Sequence, residues 1–294
     1  MATYTTYDQV GKKESVADII TDITPFDTPA MTMFKDEKIN ARTFSWLEDA
    51  LAPAGVNAAI EGDDAVMATL GNATQRTNVT QILTKAFQVS ATADAVATYG
   101  RAKETAHQLA KALKEIKRDA EYALVGANQA AVVGTGGATP TARLMASVIN
   151  QINTDKPQAG AALTEAALLD AGETAYANGS DVNTFMIKPA DAQIVSGFAG
   201  AAGRNREIAQ GKTLVNAIDL YVSPYGEYRV VLNRHLEATT ALLIDPSMFK
   251  TCTLRPFSRT LLAKTGDSDK HLIVGEMSVK HMNFDDSVKI TGLA

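Results

Sequence analysis

The sequence predicts an α+β fold. Three observations carry that prediction: one long amphipathic helix without a breaker, strand-like segments gathered mostly beyond residue 180, and an N-terminal third that lacks the periodicity of a compact core. With 294 residues, 46% of them hydrophobic, the chain can build two modest domains with extensions, and its composition is that of a globular protein.

Residues 1–44 read as an arm. Ser15 to Thr21 is a short helix candidate, and Thr24-Pro25-Phe26-Asp27-Thr28-Pro29 follows it. Its two prolines bias this stretch toward extended structure. The expectation is an arm laid over other surfaces and not a core element.

A hairpin comes next. Ala41-Arg42-Thr43-Phe44-Ser45-Trp46-Leu47 alternates polar with apolar residues, and Val79 to Val89 returns with Ile82, Phe87 and Val89. The connection of about thirty residues is rich in Ala, Gly, Asn and Asp, and a loop of that length inside a compact domain calls for a function. From Glu48 to Gln75 it contains Glu48, Asp49, Glu61, Asp63 and Asp64, with no lysine or arginine. Two readings stay open, a solvated acidic loop and a charged contact surface.

The strongest periodic signal spans 101–126. Apolar residues recur at Ala106, Leu109, Ala110, Leu113, Ile116, Ala120, Ala123 and Leu124, while Lys103, Glu104, Lys111, Lys114, Glu115, Arg118 and Glu121 occupy other positions. Steps of three and four place the apolar set on one face of a helix about 39 Å long. Gly134-Thr135-Gly136-Gly137 then marks a turn.

Beyond residue 155 helices and strands alternate. Thr164 suits a helix N-cap, Glu165 its first turn, and Asn178-Gly179 its end. Thr184 to Ile187 reads as a strand. Pro189 fits the first turn of a helix whose apolar side is Ile194, Val195 and Phe198. Further strands are expected at Ala217 to Ser223, Tyr228 to Leu232, Ala241 to Ile244, Leu272 to Met282 and Ser287 to Thr291, with Pro224-Tyr225-Gly226-Glu227 as a turn.

Composition narrows the function classes. A net charge of −5 argues against a dedicated nucleic-acid binder. The single cysteine, Cys252, excludes an intrachain disulfide, and its place among Thr251, Thr253 and Leu254 suits a buried structural thiol. No apolar run approaches the roughly 18 residues that span a bilayer. Met1 to Lys13 has no apolar signal core, so an intracellular chain is expected, and the glycosylation-type triplets Asn72-Ala73-Thr74 and Asn78-Val79-Thr80 are then incidental.

A search for catalytic chemistry ends without a site. Gly211-Lys212-Thr213 resembles the end of a phosphate-binding loop, but Arg206 stands where that motif needs glycine, and a strand is expected to follow. His107, His235, His271 and His281 have no metal-type spacing to one another or to Cys252. Ser196-Gly197 has Ile194 where a nucleophile elbow needs glycine. Asp63-Asp64 shows no cation-ligand pattern. No catalytic, cofactor or metal residue is assigned, and the chain is expected not to be an enzyme.

The C-terminal third carries a resemblance. Leu254-Arg255-Pro256-Phe257, Leu262-Ala263-Lys264-Thr265-Gly266-Asp267-Ser268 and Ile290-Thr291-Gly292-Leu293 resemble the major capsid proteins of tailed bacteriophages. So do Asn233-Arg234-His235, Asp245-Pro246 and Pro25-Phe26-Asp27-Thr28-Pro29. These short matches occur in order along nearly the whole chain. The resemblance implies the Hong Kong 97-type capsid fold. Residues 1–44 would be the N-terminal arm and 45–88 the E-loop hairpin. Residues 89–156 and 245–294 would form the peripheral domain, with 101–126 as its spine helix, and 157–244 the axial domain. It implies self-assembly into hexamers and pentamers of an icosahedral head in the virion, made in the host cytoplasm. The implied partners are a scaffolding protein, a portal protein, a decoration protein and packaged DNA held without sequence-specific binding, with no membrane. The same fold builds encapsulin compartments, which is the alternative reading.

Three expectations sharpen this reading. The arm motif begins within about 25 residues of Met1, so a separate scaffolding protein and not a cleaved leader is expected. No lysine occurs between Lys38 and Lys85, so the E-loop is expected not to form covalent lysine links. Glu48, Asp49, Glu61, Asp63 and Asp64 are expected to meet basic groups of a neighbouring copy on the helix face bearing Lys111, Lys114, Lys117 and Arg118.

Overall fold

The computed structural model describes residues 27–52, 54–58, 60–62, 64, 67, 70–96, 103–137, 139–198, 220–264 and 266–294. The Ser15–Thr21 helix candidate, Asp63 and Gly211-Lys212-Thr213 lie outside them. In chain order the elements are α1 (Pro29–Met33), β1 (Lys35–Lys38), β2 (Thr43–Glu48), β3 (Thr74–Val79), β4 (Gln81–Ser90), α2 (Ala91–Ala95), α3 (Glu104–Val125), α4 (Val148–Gln151), β5 (Thr154–Asp155) and α5 (Glu165–Ala177). There follow β6 (Thr184–Ile187), α6 (Ala192–Phe198), β7 (Leu220–Ser223), β8 (Gly226–Leu232), β9 (Ala241–Ile244), β10 (Phe249–Leu261), β11 (Ser268–His281) and β12 (Val288–Ile290).

Three sheets organise the described residues. One has the order β1-β10-β11-β4, a second β5-β12-β9-β6-β8-β7, and β2 pairs with β3 in a hairpin of its own. The six-stranded sheet divides two hydrophobic cores. Its central strands β6 (TFMI) and β9 (ALLI) are buried along their whole length, because both faces are covered. Alternation sends Met186, Leu242 and Ile244 to a core with Ile116, Ala120 and Leu124 of α3. Phe185, Ile187 and Leu243 go to a second core with Leu168 and Ala171 of α5 and the rings of Tyr221 and Tyr228.

Local chemistry explains most boundaries. Thr164 caps α5 by accepting the Ala167 N–H, and Gly179 follows its end at φ 80°. Pro189 begins the 3₁₀ turn that leads into α6, and Val195 and Phe198 are buried as the pattern requires. Cys252 is buried in β10, where burial foremost pushes its thiol up to about 12, so it is an inert core group.

The structure corrects three expectations. The strand that returns to β2 is β3, with Thr43 opposite Val79 and Glu48 opposite Thr74. Gln81–Ser90 turns away at Thr80, whose N–H donates to the Arg42 carbonyl, and pairs with β11, Ser90 opposite Ser268. No glycine or proline marks that joint, so the sequence shows no break there. Pro29 opens α1 in place of extended chain, and Ala30 and Phe34 enter the first core. Residues 28–38 are thus built into the body, with β1 parallel to β10. The third correction concerns α3. Its buried face is Ala112, Ile116, Ala120, Glu121, Ala123, Leu124 and Val125, while Ala106, Ala110 and Leu113 are exposed. Among the described residues, Leu109 of this half packs on the core, while Ala106, Ala110 and Leu113 are left uncovered.

Candidate inter-subunit surfaces

The hairpin β2–β3 carries the long loop, and its root is bolted to the body. Asn78 is fully buried, and its amide donates to the carbonyls of Val279 at 2.6 Å and Ala146 at 3.2 Å. Its oxygen accepts the N–H groups of Val79 and Ala146. Beside it, Glu276 accepts from Thr80 Oγ1 at 2.6 Å, Arg143 Nη2 at 2.7 Å and Arg255 Nε at 3.0 Å. Burial pushes the Glu276 carboxyl up, but the Thr80 bond and the two guanidinium groups outweigh it and hold it below the usual range. A hairpin so rooted projects with defined geometry.

The loop itself exposes apolar side chains. Leu51 and Val56 are each 98% exposed, and Ile60, Met67 and Leu70 are also mostly in solvent. Isolated exposed hydrophobes are ordinary; five on one projecting loop make it a candidate contact surface. The exposed Leu113 of α3 belongs to the same class.

The acidic residues divide. Glu48 is taken up within the chain: Oε2 accepts from Arg76 Nε at 2.6 Å and Oε1 from the Phe284 N–H at 2.9 Å. It therefore leaves the set of candidate contact residues. Asp49 accepts the neighbouring Ala50 N–H, and Glu61 and Asp64 are exposed. On α3, Lys111, Lys114 and Lys117 are exposed and Arg118 is half-buried. Lys111 lies 3.9 Å from Glu115, which also takes Lys85 of β4 at 3.0 Å.

Nothing in the described residues resembles a reaction centre. No group of three or more His, Cys, Asp or Glu is placed to hold a metal, and no helix is long and apolar enough to cross a membrane. Ser196 Oγ donates to the Ala192 carbonyl in its own helix. His235 is half-buried, its backbone N–H bonded to Asn233 Oδ1. Burial and then Arg118 and Arg234 hold its imidazole below the usual range.

The SU10 major capsid protein family matches residues 2–294. The chain belongs to this family. The major capsid protein of Escherichia phage Phieco32 is 31% identical to it, over 95% of this chain and 94% of that protein. Among solved structures, the cyanophage A-1(L) capsid superposes with a TM-score of 0.68 at 12% identity, covering 98% of both chains. The SrpI encapsulin of Synechococcus elongatus PCC 7942 gives 0.62 at 9% identity, over 96% and 92%. The fold is the Hong Kong 97-type capsid fold, and this SU10-family member is a phage major capsid protein, a structural subunit of the head shell.

For such a capsid protein the informative side chains are those that the sequence hides. Leu51, Val56, Ile60, Met67 and Leu70 occur in a stretch without periodicity, so nothing in their spacing separates them from loop residues packed on the body. The signal available was their density in a region rich in glycine and alanine.

Proposed function

We propose that copies of this chain form the hexamers and pentamers of an icosahedral phage head, and that the chain has no catalytic role. Residues 1–44 serve as the N-terminal arm, its inner end at α1 and β1 built into the body, and 45–88 as the E-loop segment, whose hairpin ends at Val79 and whose last part, β4, joins the sheet of the body. Residues 89–156 with 245–294 serve as the peripheral domain, and 157–244 as the axial domain. The observation that carries this reading is the row of exposed apolar side chains on a rigidly rooted loop. A lattice subunit buries such a row against its neighbour, and many such weak contacts add up by avidity.

Asp49, Glu61, Asp63 and Asp64 set the register of that contact against Lys111, Lys114, Lys117 and Arg118 of the neighbour, and the apolar side chains supply its strength. A separate scaffolding protein, a portal protein and a decoration protein complete the head, which is made in the host cytoplasm and encloses DNA without sequence-specific contacts. The net charge of −5 accords with a subunit that does not grip DNA.

The test is negative-stain electron microscopy of the concentrated chain, alone and with its candidate scaffold. Closed shells or curved hexamer sheets are expected; particles of monomer size under both conditions would overturn the reading. Because encapsulins share the fold, the contents of native particles decide between the two shells: DNA for the phage head, a cargo protein for the compartment.

A further inference from the structure

Six aromatic rings form a continuous row from α1 to the hairpin. Phe34, which closes α1, stacks on Phe249 at 5.1 Å, and Phe249 stacks on His281 at 4.0 Å with 9° between the planes. His281 stacks on Phe284 at 5.6 Å, Phe284 meets Trp46 at 6.1 Å, and Trp46 stacks on Phe44 at 5.7 Å. The hairpin grips the last part of this row from both strands. Arg76 of β3 stands 4.4 Å above the Phe284 ring, while Glu48 of β2 accepts the Phe284 N–H and pairs with Arg76.

His281 is the one member of the row that can acquire a charge, and it is fully buried. Its Nδ1 lies 3.4 Å from the Gln151 carbonyl of α4, and its Nε2 3.5 Å from Ser287 Oγ, both long for the two strong acceptors that an imidazolium requires. β10 contributes Phe249, the register partner of His281. The nearby charges are Asp285 in the following turn, Lys280 beside it in β11, and Arg76 and Glu48 beyond Phe284. Burial holds the imidazole down to about 4, outweighing the Gln151 carbonyl and then Asp285, which both favour protonation.

We propose that this row is an acid-released latch: neutral His281 holds the outer part of the β2–β3 hairpin at one angle to the body, and protonated His281 frees it while the root at Asn78 stays fixed. Cation–π attraction to the flanking rings offsets part of the cost of the charge, but the long acceptor distances leave most of it standing. Relief comes on the softer side. Phe249 is fully buried and backed by Phe34, whereas Phe284 is half-buried in a turn between exposed Asn283 and Asp285. Movement of that turn toward water hydrates the imidazolium and withdraws the ring on which the hairpin rests. If the chain builds a shell as proposed above, the latch sets where the loop reaches its neighbour. The latch itself is a property of the single subunit and is tested there.

Trp46 is the only tryptophan in the chain, so its emission reports the clamp directly. The full-length subunit is titrated from neutral pH downward, with far-UV circular dichroism followed in parallel. The expected result is a change in Trp46 emission with a midpoint between about 4 and 6.5, the locked and free imidazole values, while the dichroism stays constant. The change is expected to vanish in His281→Phe and to persist in Glu48→Gln and Asp285→Asn. Emission and dichroism changing together, no emission change above pH 4, or an unaltered change in His281→Phe overturns the latch. Should His281→Phe fail to fold, the wild-type chain carries the test through ¹³C-labelled histidine: the His281 resonance must titrate with the Trp46 midpoint, and a different midpoint overturns the latch equally.

Discussion

Replacing Glu121 by alanine would strand three donors at once. This fully buried carboxylate accepts the Ala30 N–H at 2.8 Å, the Met31 N–H at 2.9 Å and the Asn233 amide at 2.6 Å, joining α1, α3 and the segment after β8. Burial raises its carboxyl above the usual range despite those bonds. Glu121→Ala is expected to cost about 3 kcal/mol, read as a lower urea midpoint, and Glu121→Gln less, since it keeps an acceptor. His281 gives a pH dependence of definite sign. Its folded value near 4 lies below the free 6.5, so the unfolded chain binds more protons between them, and stability falls as pH drops through that window. The loss reaches about 3 kcal/mol by pH 4 if the ring stays locked and is smaller if the latch releases it first; it is expected to be largely absent in His281→Phe, as urea titrations at several pH values would reveal. Glu276 acts in the same direction at lower pH. Its depressed carboxyl contributes stability above the usual glutamate value of 4.5 and loses that contribution as pH falls through its folded value. Sequence could offer Glu121 only as one more polar position on a helix, because its partners lie about 90 and 112 residues away.

At the scale of elements, the loop between β2 and β3 and the side of α3 bearing Leu113 are exposed apolar surfaces among the described residues. Changing Leu51, Val56 and Ile60 together to serine is expected to leave the subunit's urea midpoint within about 0.5 kcal/mol of wild type, since these side chains touch little of their own chain. The same variant is expected to assemble no shells, or shells that fall apart at markedly lower temperature, as light scattering and microscopy would record. Shells of unchanged stability would exclude the apolar row as a contact. Helices and central strands were legible because their periodicity and caps are local: Thr164, Gly179, Pro189 and the apolar quartets of β6 and β9 each act within a turn or a strand. The hairpin register was not, because no glycine or proline separates β3 from β4 and only the distant β11 decides where one pairing ends.

For the whole molecule, two cores share one sheet. Met186 and Phe185, adjacent in β6, face different cores, so the two halves of the body are expected to unfold together. Particles assembled from the chain are expected to dissociate to a single-chain band on a boiled, reduced denaturing gel. The E-loop has no lysine between Lys38 and Lys85 to form a covalent link, and the single cysteine is buried. A ladder of multimers would refute this.

By itself the sequence determined the α+β class, the long helix, most of the later strands, the absence of a recognisable catalytic motif and, through short ordered matches, the capsid family. Those features rest on local periodicity, local caps and residue type, which act over a few positions. Only the tertiary structure decided that α1 enters the core on Glu121, that Glu48 is held within the chain by Arg76, and that the apolar side chains of the loop stand in water. It also decided that His281 lies between two phenylalanine rings at the hairpin's root. Each of these is a contact, or the lack of one, between residues far apart in the chain, set by which surfaces the folded backbone brings together.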